Sequence, residues 1–337
     1  MTKRFFKDGP KTDVYETITN KIIEAIERGA ETYEMPWNRK SGSGFLPINA
    51  SNGKPYRGVN VIALWAAQQS MGYQSNEWAT FKQWKEKGAA VRKGEKSTTI
   101  VFWKFLDPDG PDERPDGEIR ADGEGRVMMA RAYPVFCADQ VEGYTPKAAP
   151  PAVENTAERV DHAEQFFKRL GADLRHGGNA AYYSPINDHI QMPPFEEFKT
   201  VDGYYSVLAH EHTHWTGHAS RVGRDLKGRF GDGSYAMEEL IAELGAAFTM
   251  GVLGLSNEPR DDHAAYINSW LQVLKGDKRA IFSASSKAQE AMDFFLKANP
   301  DYAFTVADEL EDATAPPVPP PDLIKAQHTA KGPKVGL

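Results

Sequence analysis

The stretch from Tyr204 to His218, YYSVLAHEHTHWTGH, constrains this chain more than any other. It carries four histidines and a glutamate in a run that reads as one helix. His210, Glu211 and His214 spell H-E-x-x-H. Histidines four residues apart project from the same helix face, one turn above the other. That spacing lets two imidazole nitrogens reach one zinc ion at roughly 2.0–2.1 Å. Glu211, beside the first ligand, is then placed as a general base toward water activated at the ion. Val207, Leu208 and Ala209 precede the motif and supply the apolar setting of a partly buried helix.

A zinc site of this kind needs a third protein ligand, and three candidates compete. His218 continues the series, but eight residues of helix span about 12 Å, too far for one ion. It joins only if the helix breaks near Gly217. The longer pattern H-E-x-x-H-x-x-G-x-x-H is not met, because Ser220 stands where its last histidine belongs. The third candidate is YAMEELIAE, Tyr235 to Glu243, where Glu239 and Glu243 are four apart. Leu240, Leu244, Ala247 and Phe248 form the neighbouring apolar stripe. A glutamate from a second helix completes a His₂Glu set and leaves a position open to water. E-x-x-A-[DE] after H-E-x-x-H resembles the arrangement in several zincin-like metallopeptidases, where the first acid is the ligand. Glu239 is therefore expected as the metal ligand, and Glu243 as hydrogen-bond support for a ligand histidine. Glu238 and Glu239 also suit the start of a helix electrostatically. Zn²⁺ is the expected cofactor, although Mn²⁺ or Ni²⁺ can fill such a site, since affinity alone does not select zinc.

The chain of 337 residues is long enough for two domains and a tail. One cysteine, Cys137, excludes an intramolecular disulfide and a cysteine-based zinc site. The N-terminus, MTKRFFKDGPKTD, has no apolar core of a signal peptide, and no run of about 18 apolar residues exists. A soluble, cytoplasmic protein without a membrane partner is expected. The net charge of −7 is unevenly spread. Residues 1–150 hold 22 Lys+Arg and 20 Asp+Glu, a net +2, which leaves −9 for the remainder. The acidic total therefore does not exclude nucleic acid as a partner of the first half.

Residues 12–30 form an amphipathic helix with Val14, Ile18, Ile22, Ile23 and Ile26 at helical spacing and Gly29 as a stop. Pro36 to Gln69 is loop in its first half and a short helix from Asn60, with Arg57 at the entrance. Residues 78–106 are the second informative stretch. Lys82, Lys85, Lys87, Arg92, Lys93, Lys96 and Lys104 outnumber Glu86 and Glu95, and Trp78, Phe81, Trp84, Phe102, Trp103 and Phe105 are interleaved. The pattern reads as a helix to Lys87, a basic loop over Lys93–Lys96 and a strand over Thr98–Phe105. Flat rings that stack bases beside cations that track phosphates are the two parts of a single-strand binding surface. Buried aromatics and a solvated lysine face would look the same in sequence.

Asp107 to Gly125 is dense in Asp, Gly and Pro and reads as an exposed insertion without calcium-loop spacing. Strand pattern returns over Arg126–Val135, and the Pro/Ala-rich stretch from Ala148 to Pro151 reads as a linker. A helix over Thr156–Leu170 opens the second half. Asn179–Met192 reads as a hairpin whose second strand, His189–Met192, is the candidate to pair with an extended peptide. Helices over Asp261–Leu274 and Ser285–Leu296 follow, and from Asp312 the proline-rich tail reads as disordered.

Taken together these strings resemble the ArdC-type antirestriction proteins of conjugative plasmids, over most of residues 12–310. In the first half the likeness rests on Tyr15-x-x-Ile18-Thr19-x-x-Ile22-Ile23, Pro36-Trp37, Tyr56-Arg57-Gly58-Val59-Asn60, Thr80-Phe81-Lys82-Gln83 and Val91-Arg92-Lys93-Gly94-Glu95-Lys96. In the second it rests on His210-Glu211-x-x-His214-Trp215-Thr216-Gly217-His218 and Tyr235-Ala236-x-Glu238-Glu239-Leu240. The first half is also similar to a segment attached to plasmid conjugative primases. His212 departs from the usual apolar residue inside the motif, at a position off the metal face.

The resemblance implies an α+β fold: a mixed α/β single-stranded DNA-binding domain over 1–147, a linker over 148–155, a zincin-like metallopeptidase domain over 156–311, and the tail over 312–337. It implies protection of incoming plasmid DNA from host restriction during conjugation. Arg57, Lys82, Trp84, Arg92, Lys93, Lys96, Trp103 and Lys104 are the expected DNA-binding residues. Glu211 is the expected catalytic base, and Tyr235 is the candidate to steady an oxyanion. The partners are single-stranded DNA and a protein substrate or restriction-system component. The alternative is a non-catalytic DNA-binding shield whose metal domain is a scaffold or docking module.

Overall fold

A computed structural model of the chain describes residues 13–30, 35–38, 46–105, 119–121, 127–146, 160–226, 233–258 and 263–302. The expected linker and the proline-rich tail lie outside the described residues. Helix α1 (Val14–Gly29) starts where the Asp13 carboxylate accepts the amides of Tyr15 and Glu16. It buries Ile18, Ile22 and Ile26 along one face. After β1 (Ile48–Asn49), α2 (Val59–Met71) is buried around nearly its whole circumference. A helix apolar on every side needs cover on every side, and α1, a sheet and a late helix of the chain supply it.

The rest of the first half is β2 (Glu77–Ala79), α3 (Phe81–Glu86), β3 (Ala90–Val91), β4 (Thr98–Phe105), β5 (Ile119–Ala121), β6 (Val127–Cys137) and β7 (Val141–Glu142). Thr80 and Gln83 close a capping box at the start of α3. The main sheet runs β1-β2-β6-β4, with β5 added on β6, while β3 and β7 pair separately. Asn60 fastens α2 to this sheet, its amide donating to Val101 O and accepting from Val101 N, both at 2.8 Å. Part of the expected insertion is sheet: Ile119–Ala121 pairs antiparallel with Val127–Met129. The remainder of that insertion lies outside the described residues.

The second half comprises α4 (Asp161–Leu170), β8 (Asp173–His176), β9 (Tyr182–Ser184), β10 (His189–Met192), α5 (Val201–Thr216), α6 (Gly233–Leu253), α7 (His263–Gly276) and α8 (Ala280–Ala298). Its small sheet has the order β8-β10-β9. This corrects the expected role of His189–Met192. That strand is central, parallel to β8 and antiparallel to β9, so both of its edges are taken. The strands at the sheet edges are β8 and β9.

Both halves contribute to one buried cluster. Trp65 meets Phe248 at 6.1 Å between ring centroids, Trp37 meets Trp270 at 5.9 Å, and Tyr15 meets Phe282 at 4.6 Å. Polar ties cross the same boundary: Thr19 donates to Lys278 O at 2.6 Å and the Asn257 amide donates to Trp37 O at 3.2 Å. The apolar faces of α1 and α2 are thus covered in part by α7 and α8. Cutting the chain between the halves would expose those faces to water.

Helices α5 and α6 approach closely enough that a Cβ on Gly245 would lie 2.5 Å from both Cγ2 and Oγ1 of Thr213. Thr213 has no freedom to yield, because it is β-branched and its hydroxyl donates to Ala209 O at 2.9 Å. Gly245→Ala should therefore destabilise the protein by about 1–3 kcal/mol through overpacking. Urea unfolding checks this, and an unchanged midpoint would contradict the close approach.

Candidate metal centre

The α5 spacing and the α5–α6 packing together build the site. His210 and His214 stand one turn apart on α5, and their Nε2 atoms face each other at 3.1 Å. From α6, Glu239 brings Oε2 to 3.5 Å from His210 Nε2 and Oε1 to 3.5 Å from His214 Nε2. One ligand atom from each of His210, His214 and Glu239 falls within 4.8 Å of the others, the convergence a single metal ion needs. Two imidazole nitrogens and a carboxylate oxygen form a donor set that fits a divalent cation and leaves coordination free. His218 is not part of it. Helix α5 ends at Thr216, and the His218 ring turns to the Ser220 hydroxyl at 2.8 Å.

Carboxylates of α6 also approach the outer ring nitrogens. Glu243 Oε1 lies 3.1 Å from His210 Nδ1. Glu238 Oε1 lies 3.1 Å from His214 Nδ1, a role the sequence reading missed by treating Glu238 as a first-turn acid. An Nδ1–H donated to a carboxylate fixes the tautomer and aims the Nε2 lone pair inward. Charges follow this geometry. Burial presses the His214 imidazole toward neutrality, but Glu238 and Glu239 outweigh it and raise its pKa to about 10. Burial likewise opposes charge on Glu239, yet the two imidazoles hold its carboxyl far below the usual range. Metal binding must displace the His214 proton, so it competes with protonation.

Glu211 is buried and lines a cavity of about 320 Å³ together with His210, His214 and Glu239. Tyr235 lines the same cavity from α6, with its hydroxyl 3.3 Å from that of Tyr266 on α7. Burial, Tyr266 and Glu239 all push the Tyr235 phenol well above its usual range. His212 points away from the site, buried against Phe167 and Trp215, with Nδ1 2.8 Å from Leu208 O. A further wall of the cavity is Ala181, Tyr182, Tyr183 and Pro185, from β9 and its flanks.

That wall is fastened to the end of α5 by Arg221. Its guanidinium lies 4.0 Å from the centre of the Trp215 ring and pairs with Asp188 at 2.5 Å, while the Tyr183 hydroxyl donates to the same carboxylate at 2.9 Å. Arg221 holds the Asp188 carboxyl below its usual range. A carboxyl lowered on folding stabilises above its unfolded pKa, about 3.9, and loses that contribution as pH falls through the folded value. The stability gap between wild type and Asp188→Asn should therefore be present at neutral pH and close below about pH 4. Denaturant titrations across pH measure it; a gap constant with pH would count against the pair.

The expected DNA-binding residues divide. Trp84 is fully buried, its indole N–H donating to Phe136 O at 3.0 Å and its ring against Tyr144, so it is core and presents no face to a base. Trp103 is partly buried, 6.2 Å from Tyr15. Arg57 is engaged by Asp293 of α8 at 2.6 Å. Arg92 pairs with Glu95 at 2.8 Å and also donates to Asp139 O. Lys82, Lys93 and Lys96 are exposed, and Lys82 is 3.7 Å from Glu86. Lys104 lies in β4, and its side chain is outside what is described. Among the described aromatics of α3, Phe81, 46% exposed, faces solvent.

An H-E-x-x-H helix served by a carboxylate from the following helix puts the second half in the zincin-like class, and residues 161–287 match the family described as zincin-like metallopeptidase. Residues 12–136 match the N-terminal domain of anti-restriction factor ArdC. The chain belongs to the ArdC antirestriction family. It is similar to the crystal structures of the antirestriction protein ArdC from plasmid R388, at 38% identity over 87% of this chain and 100% of that one. The TM-score is 0.70 for the metal-free form and 0.69 for the Mn(II)-bound form. Protein y4eC of Sinorhizobium fredii is 48% identical over 283 residues, 84% of this chain and 91% of its own length. The DNA primase TraC of Escherichia coli is 36% identical over 296 residues, 85% of this chain, which spans only 27% of that primase. No helix among the described residues is long and apolar enough to cross a membrane.

Proposed function

We propose that this chain is an antirestriction protein that binds single-stranded DNA through its first half and hydrolyses a peptide bond at the centre in its second. The observation that carries the catalytic reading is the meeting of His210, His214 and Glu239 at one point, with Glu211 buried beside it on the same cavity. A divalent ion held there, with zinc the proposed occupant, supplies Lewis-acid polarisation of a carbonyl and acidifies water. Glu211 takes the proton of the attacking water and delivers it to the departing amine. The Tyr235 hydroxyl, across the cavity, steadies the developing oxyanion. The edge of β9 offers backbone groups to an extended peptide, the task first expected of His189–Met192. Among the described residues the cavity lining holds acids and tyrosines with no lysine or arginine, which suits a peptide with uncharged or basic side chains.

For DNA, the exposed lysines Lys82, Lys93 and Lys96 engage phosphates and the Phe81 ring supplies stacking. Reversing Lys93 and Lys96 to glutamate should weaken single-strand binding about tenfold or more. The slope of log affinity against log salt should fall by about 1.4, because two phosphates are no longer neutralised. Filter binding across a salt series measures both. Wild-type binding that ignores salt would reject the reading.

A non-catalytic reading draws on a specific observation: α7 and α8 cover the apolar faces of α1 and α2. In that reading the second half is the scaffold of the DNA-binding half. Antirestriction would then survive the loss of Glu211.

A further inference from the structure

Arg224 lies ten residues beyond the second metal-site histidine, in the loop that leaves α5. In the structure its side chain is 3% exposed. The guanidinium forks onto Glu238, with Nη2 2.9 Å from Oε1 and Nε 3.1 Å from Oε2. Glu238 Oε1 is the same oxygen that lies 3.1 Å from His214 Nδ1. Two further donors go to the end of α5: Nη2 to Thr213 O at 2.6 Å and Nη1 to the Thr216 hydroxyl at 2.8 Å. The Arg224 amide donates to Gly217 O at 2.8 Å.

These contacts answer two separate needs. The last turn of α5 tightens, and the Gly217 amide goes to His214 O and Trp215 O. Thr213 O therefore lacks its usual backbone partner four residues on, and the Thr216 hydroxyl and Arg224 both donate to it instead, each at 2.6 Å. A buried carboxylate also needs hydrogen-bond donors, and Glu238 finds Arg224 at both oxygens and His214 Nδ1 at Oε1. One planar, permanently charged fork meets both needs at once, which a lysine ammonium cannot do.

We propose that Arg224 is a positioning residue of the metal centre. It acts through Glu238 to hold the His214 imidazole in the tautomer and orientation that present Nε2 to the ion. The inference rests on the metal-centre reading of His210, His214 and Glu239. It adds a link absent from the H-E-x-x-H motif and from the glutamate helix.

The test is Zn²⁺ and Mn²⁺ affinity of the full chain, by chelator competition, alongside thermal unfolding with and without each metal. Arg224→Gln should lower affinity about 10–100-fold, as loss of an outer hydrogen-bond partner does. Arg224→Lys should remain well below wild type. In a Glu238→Gln background, removing Arg224 should cost no more than about threefold further, because the link is already broken. A merely structural arginine would lower the apo melting temperature and leave the metal-induced rise in melting temperature unchanged; a positioning arginine shrinks that rise. Should Arg224→Gln fail to fold, Arg224→Lys and Glu238→Gln carry the comparison. Wild-type affinity in the folded variants, or losses that multiply in the double variant, would overturn the inference alone. A wild-type chain that binds neither metal would overturn the metal centre itself.

Discussion

Glu211→Gln should leave metal affinity within a few-fold of wild type and reduce peptide hydrolysis by about 10²–10⁴. Glutamine keeps the volume of the buried side chain but cannot take a proton, and Glu211 is not among the three side chains that converge. Hydrolysis of a mixed peptide library and metal content, measured on one preparation, check the two halves of this expectation. Antirestriction during plasmid transfer then separates the two functional readings. A peptidase loses protection with this single change, whereas a DNA-binding shield retains it. Full hydrolysis by the variant would sink the assignment of Glu211 as base.

The second large effect is expected at the ligand that sequence spacing alone leaves open. Glu239→Ala should lower divalent-metal affinity about a thousandfold, roughly 4 kcal/mol, because two imidazoles cannot close the set. Glu243→Ala and Glu238→Ala, whose carboxylates approach the histidines only at Nδ1, should cost about 10–100-fold each. Titration against a competing chelator ranks the three. An order with Glu243 above Glu239 would mean that the carboxylates exchange roles when metal binds. With Zn²⁺ or Mn²⁺ removed, the wild-type melting temperature should fall toward that of Glu239→Ala, since an ion that binds only the folded state stabilises it by mass action.

The comparison of Trp84 with His214 shows what a linear pattern conveys. His210 and His214 belong to one helix, and a helix dictates its own side-chain directions, so their convergence follows from a spacing of four. The boundaries of β4 and the start of α2 were legible for similar local reasons. Trp84 sits on a helix of six residues, too short for a periodic face to declare which side is buried. Its aromatic and basic neighbours suggested a stacking platform, yet tertiary packing placed the indole in the core and left Phe81 outside. Arg57 likewise carries the right charge for DNA, but Asp293, far along the chain, engages it. The central place of His189–Met192 was hidden because β8, its parallel partner, has no clear alternation of its own.

From the chain alone came the metal helix, the motif glutamate, the α+β division into two segments and the choice of Glu239, because each depends on residues a turn apart or on a string matched whole. The crossing of α5 on α6 decided which acid supports which imidazole. Glu238 and Glu243 lie five residues apart on one helix, and only the placement of a second helix distinguishes their targets. The same crossing buried Arg224 behind Glu238 and joined two sequence segments through one core. Such contacts join residues distant along the chain, and their energies depend on burial and mutual orientation, which no one-dimensional spacing encodes.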